Sequence, residues 1–110
     1  MGGALAQHAA VSLTNQNIYV SQLYHYGSPR VGDSKFSTWF DSYIKTNDKH
    51  RVTHGHDPVP HLPPHSFGFN HVPHEVFQKG NIKDGYVLCN DSADREDPNC
   101  SDKFKVDVNV

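Results

Sequence analysis

The stretch His54-Gly55-His56-Asp57-Pro58-Val59-Pro60-His61-Leu62-Pro63-Pro64 concentrates the residues with the most chemical reach. A short run that reads as strand leads into it, and a carboxylate followed by prolines ends that run. A carboxylate at such a place can serve as the acid of a catalytic triad. There it accepts the Nδ1–H of a histidine, holds that ring in one tautomer and stabilises the imidazolium. A short side chain on a stiff turn suits the task, and Pro58 stiffens this turn by fixing its own φ. The plainer alternative is an Asp-Pro pair that only starts a turn.

Histidines crowd the same region: His50, His54, His56, His61, His65, His71 and His74 fall within 25 residues. His54-Gly55-His56 on a strand would place two imidazoles on one face, and His71-x-x-His74 would add more. Yet no H-E-x-x-H occurs, and the two cysteines lack C-x-x-C spacing. No metal and no cofactor is expected. Ser28 and Ser66 are the serines nearest to Asp57 in this scheme, and neither sits in a strand-turn-helix elbow. Arg30 reads as a tie from its loop to a carboxylate or to carbonyl groups, with a bound anion as the alternative.

Positioning Asp57 is the task of the elements upstream. Residues 2–14 predict a helix, with Leu5, Ala9 and Leu13 recurring at helical spacing and Ala6 and Ala10 beside them. Residues 18–26 (IYVSQLYHY) are β-branched and aromatic, which predicts a strand. Asp33 can cap a second helix over 34–45 that puts Phe36, Trp39, Phe40, Tyr43 and Ile44 on one face. Residues 50–54 predict a second strand. Strand, helix, strand over this length is a βαβ unit with parallel strands. Ligands of open α/β sheets sit outside the carboxyl ends of the strands. Two segments lie there: Gly27 to Arg30 and Gly55 to Pro58.

Downstream, 58–73 is rich in proline, histidine and aromatics and reads as a shaped loop. Short strands are expected at 75–77 and 86–88, a turn-rich acidic loop over 90–103, and a last strand over 104–110 from its Phe/Val alternation. The whole of 1–110 reads as one domain. The chain opens on Gly2-Gly3-Ala4-Leu5-Ala6, although glycine in a helix costs about 1 kcal/mol relative to alanine. Such glycines make sense where a backbone must approach another element closely.

The net charge of −2 excludes the basic footprint that nucleic acid demands and gives no polybasic patch for anionic lipid. No run reaches the length of a membrane helix. Two cysteines, Cys89 and Cys100, lie in the most polar part of the chain. They fit one disulfide in an oxidising compartment, with two free thiols as the alternative.

Several of these segments together resemble one family. Tyr26-Gly27-Ser28-Pro29-Arg30-Val31-Gly32-Asp33 resembles the G-x-P-R-V-G-[DN] signature of the class 3, or fungal, lipases. Asp57-Pro58-Val59-Pro60-His61-Leu62-Pro63-Pro64 resembles the segment that carries their catalytic aspartate. Phe67-Gly68-Phe69-Asn70-His71 followed by Glu75-Val76 is similar to the next block. Met1 to Ala6 looks like the tail of the nucleophile elbow, in which a G-x-S-x-G turn lifts a serine between strand and helix.

The resemblance implies a partial α/β-hydrolase fold: a βαβ core with short carboxyl-terminal strands and long loops. It implies hydrolysis of carboxylic esters, typically acylglycerols at a lipid interface, in a secreted protein. Asp57 would be the triad acid, Met1 would give an oxyanion-hole N–H, and Gly2 and Gly3 would be the elbow glycines. Cys89 and Cys100 would form a disulfide. The serine would stand one residue before Met1, and the histidine would belong to a later Asp-His block. The expectation is therefore a piece of a lipase domain, inactive alone, of whose triad only Asp57 is present. A non-catalytic binding module on a hydrolase scaffold is the alternative, and a histidine-rich metal-binding module is a more distant one.

Overall fold

In the computed structural model, which describes residues 1–90 and 96–104, four strands form one sheet in the order β1-β2-β3-β4. Helix α1 spans Gly2–Asn15, strand β1 Leu23–Tyr26, helix α2 Ser34–Tyr43 and strand β2 Lys49–His54. Strands β3 (Glu75–Gln78) and β4 (Tyr86–Leu88) follow after a long loop. β1 runs parallel to β2, β2 parallel to β3, and β3 antiparallel to β4. This is the expected βαβ core with two short strands added.

Local chemistry accounts for the elements. Asp33 caps α2, its Oδ1 accepting the Phe36 N–H at 2.8 Å. A Cβ at Gly32 would stand 2.7 Å from Phe36, so the tight entry into α2 requires glycine. Of the aromatic face expected on α2, Phe40 and Ile44 are buried, Phe36 and Tyr43 are partly buried, and Trp39 stays exposed. Strands β1 and β2 each end on a left-handed glycine: Gly27 at φ +60° and Gly55 at φ +47°. Each still donates its N–H one strand over, Gly27 to Val52 O and Gly55 to Gln78 O, both at 2.9 Å. Glycine adopts that backbone without the Cβ clash that other residues meet.

Two expectations change. The strand predicted over 18–26 is extended sheet only from Leu23, because Leu23 is where pairing with Lys49 begins. Only part of the predicted stripe on α1 faces inward, Ala10 within the core and Ala6 against it. Gly3, Gln7 and Ala10 are the helix's buried residues, while Leu5 and Leu13 remain exposed. The helix lies close to the segment after β1, and only small or flat side chains fit that approach. The strand expected over 104–110 falls outside the described residues except for Phe104, which ends a short 3-10 turn, Ser101–Phe104.

Ala10, Leu23, Phe40, Ile44 and Val72 make the apolar core between the helices and one sheet face. Further along that face the packing is polar. Arg51 and Glu75, register neighbours across β2 and β3, are both almost fully buried, with Nη2 3.4 Å from Oε1. Glu75 Oε2 accepts the Thr53 hydroxyl at 2.6 Å and the Ser101 hydroxyl at 2.5 Å. That carboxylate fastens the carboxyl-terminal segment onto the sheet. The opposite face, with Tyr24, Tyr86 and Leu88 exposed on it, forms an open groove.

Candidate active site

Asp57 stands three residues beyond the carboxyl end of β2, on a turn closed by its own N–H donating to His54 O at 3.1 Å. Its Oδ1 accepts the Val59 N–H at 3.0 Å. Its Oδ2 takes the space that a side chain on Gly27 would need, since a Cβ there would lie 2.9 Å away. The carboxylate is partly exposed, aligned at one oxygen and confined at the other. A carboxylate held in a fixed direction can accept the Nδ1–H of an imidazole partner.

The segment after Asp57 is fastened by Arg30, which is 4% exposed. Three successive carbonyls accept from this one residue. Its backbone N–H reaches Leu62 O at 2.7 Å, and Nη1 reaches His61 O at 2.5 Å and Pro63 O at 2.9 Å. The Leu62-Pro63 bond in this loop is cis. The other edge of the guanidinium meets Glu96 in a two-point pair, Nε to Oε2 at 3.1 Å and Nη2 to Oε1 at 2.7 Å. The sequence reading of Arg30 as a tie is thus the observed one, to carbonyls and to a carboxylate together.

On the far side of Gly27, Ser28 is fully buried and meets the start of α1. A Cβ on Gly3 would come within 2.5 Å of Ser28 Cβ. Gln7 Nε2 donates to Ser28 Oγ at 3.2 Å, and that hydroxyl faces Pro29 O at 2.9 Å. Gly3 therefore has the close approach expected of a helix-opening glycine. Gly2 does not, for a Cβ there would meet nothing within 4 Å. Met1 is the N-cap residue of α1, with no side-chain cap, so the first-turn amides have no capping acceptor there.

The histidines disperse rather than converge. His54 Nε2 meets Gly80 O at 2.9 Å, while the His56 ring packs on Phe104 at 3.9 Å between centroids. His71 is buried against Pro60 O at 2.6 Å, and His74 pairs with Asp41 at 2.9 Å. Burial, with Arg51 nearby, holds His71 well below the usual imidazole range and lowers His25 to about 4. Burial and then Arg30 also lower His61. These rings are packed neutral. Among the described residues, His65, Glu96 and Asp102 offer ligand atoms within 4.8 Å of one another. The Arg30 guanidinium already lies against that set, 3.0 Å from His65 Nε2 and 2.7 Å from Glu96, and its charge opposes a metal cation.

Cys89 and Cys100 form a disulfide, with Cα atoms 6.3 Å apart. Asp97 gathers the loop it closes by accepting the N–H groups of Asn90 at 2.8 Å and Asn99 at 2.9 Å. Sequence reasoning gave no role to the carboxylates of Glu96 and Glu75 and took Gly27 only as part of the turn that ends the first strand. For Gly27 a signal existed, a glycine directly after a strand. For the two glutamates none did, because their partners lie far away in sequence.

Known proteins share this fold. The chain is 44% identical over 80 residues to the secreted mono- and diacylglycerol lipase 1 of Fusarium solani, covering 73% of this chain and 23% of that protein. It superposes on lipase II from Rhizopus niveus with a TM-score of 0.79 at 31% identity, over 94% of this chain and 38% of that one. A triacylglycerol lipase structure described as having a serine protease triad as its catalytic centre matches with a TM-score of 0.76 at 32% identity. That match covers 94% of this chain and 39% of the other. The chain thus spans well under half the length of these relatives, and its fold is a partial α/β-hydrolase fold. The Lipase (class 3) family profile matches residues 1–67, and the chain belongs to that family.

Proposed function

We propose that residues 1–110 are the acid-bearing part of a serine ester hydrolase, with Asp57 as the triad acid. The observation that carries this is the placement of Asp57 beyond the carboxyl end of β2, with one oxygen aligned by Val59 and the other confined against Gly27. In the mechanism, a serine attacks the ester carbonyl and passes its proton to a histidine, and a carboxylate holds that imidazole by its Nδ1–H. Asp57 supplies the carboxylate. The serine belongs directly before Met1, whose backbone N–H then aims with the start of α1 at the oxyanion. Gly3 lets that turn sit on Ser28, and Gly2 belongs to the same turn. The histidine belongs to a segment after Val110. Residues 1–110 by themselves then lack nucleophile and base and should not turn over esters.

Acylglycerols presented at a lipid interface are the proposed substrate, supported by the Fusarium relative's name. That relative's secretion and the Cys89–Cys100 disulfide support an extracellular location. Among the described residues no helix is long and apolar enough to cross a membrane. The deciding experiment is to read the transcript across both ends of this frame and assay the encoded protein on short-chain and long-chain acylglycerols. Gly-His-Ser before Met1, with activity lost about 10⁴-fold in Asp57→Asn, is the expected result. A message without that serine would favour a non-catalytic binding module on the same scaffold.

A further inference from the structure

We infer that Glu96 is a positioning residue for Asp57, acting at a distance through Arg30; this rests on the reading of Asp57 as the acid. The connection runs through bonds that can each be followed. Asp57 Oδ1 accepts from Val59 N. Val59 O accepts from Leu62 N at 3.0 Å, and Pro58 O accepts from His61 N at 3.0 Å, so residues 57–62 form one closed turn. The carbonyls of His61, Leu62 and Pro63 are all held by Arg30. The plane of that guanidinium is set by the two-point pair with Glu96.

Arg30 and Glu96 are 4% and 7% exposed, so neither has water to replace the other. A buried cation deprived of its partner must rotate or draw in solvent. The first bonds to give are those on its opposite edge, to His61 O and Pro63 O. The loop then slackens, and with it the Val59 N–H that aims Asp57. Glu96 is itself held in place from outside the site. It sits inside the loop closed by Cys89–Cys100 and directly before Asp97, which binds the amides of Asn90 and Asn99. The disulfide loop thereby presents a carboxylate to the acid's loop, and its contribution to catalysis is geometric.

Amide hydrogen exchange on residues 1–110 tests this without any activity. In Glu96→Gln, which keeps the shape and removes the charge, the amides of His61 and Leu62 should exchange about tenfold faster. The Arg51 amide, bonded to His74 O in the sheet, should be unchanged, and Glu96→Asp should recover most of the protection. Unchanged exchange at His61 and Leu62 would overturn the proposal. So would an equal rise at Arg51, which marks a general loss of stability.

In the longer enzyme, Glu96→Gln should lower kcat about tenfold with KM within about twofold, as expected when an oriented group loses its alignment. If exchange responds but Asp57→Ala leaves kcat intact, the acid assignment falls while the coupling of Glu96 to the loop stands.

Discussion

Gly27 and Asp57 share a space that holds one carboxylate oxygen and no methyl group: a Cβ on Gly27 would stand 2.9 Å from Asp57 Oδ2. Gly27 also sits at φ +60°. The first expectation follows from both facts. Gly27→Ala should lose about 1–2 kcal/mol from the left-handed backbone. In an active longer protein it should also lower kcat more than KM, because the acid is displaced while substrate contacts remain. Urea unfolding and steady-state kinetics read the two effects separately.

Gly2 and Gly3 should respond oppositely to alanine. Gly3→Ala drives a methyl within 2.5 Å of Ser28 Cβ, an overpacking that costs about 1–3 kcal/mol. Gly2→Ala meets open space and should gain up to about 1 kcal/mol from helix propensity. Thermal melts of the two variants, side by side, check the contrast.

Breaking the buried Arg51–Glu75 pair should cost about 3–5 kcal/mol in Glu75→Ala, since the Arg51 charge is left in the interior. Thr53 and Ser101 lose their acceptor in the same variant. Near-ultraviolet circular dichroism in a denaturant series should show the midpoint fall. A Thr53→Val change, which removes one donor only, should cost far less.

Stability should decline in mild acid. His25 has its folded pKa lowered to about 4 from 6.5, by burial first and by Arg51 second. Between those values the unfolded chain binds the proton that the folded chain refuses. The stability is therefore fully present above about pH 6.5 and is lost as pH falls toward 4, by about 3 kcal/mol from this group. His71 is shifted the same way for the same reasons. A His25→Phe variant should flatten the pH dependence of the unfolding midpoint over this window.

Reducing the disulfide should remove about 2–4 kcal/mol by freeing the loop between Cys89 and Cys100 in the unfolded chain. Melts with and without dithiothreitol measure it directly.

Much of this was legible in the sequence where the signal is local. Asp33 announced a helix cap, Gly27-Ser28-Pro29 a strand end, and Asp57-Pro58 a turn at the carboxyl side of a strand. The disulfide and the tie from Arg30 were also expected. What stayed hidden depends on partners distant in sequence. The face of α1 could be read only in part: Ala10 is buried in the apolar core, but Gly3 and Gln7 are buried against Ser28, where closeness and not hydrophobicity decides. Glu75 and Glu96 look like ordinary surface acids until Arg51 and Arg30 are placed beside them. The histidine crowd suggested convergence by density alone, yet strand alternation and the Gly55 turn send its members to different neighbours.

The pair that holds the acid's loop joins residues 66 positions apart. A contact of that span needs most of the chain to be made and collapsed before it can close, so it is reached late in folding. While the chain is being synthesised, β1, α2 and β2 can assemble with Asp57 already in its turn, but Arg30 must wait for Glu96 to emerge. The loop around Asp57 is thus among the last parts to become rigid, and it waits until the disulfide segment has docked.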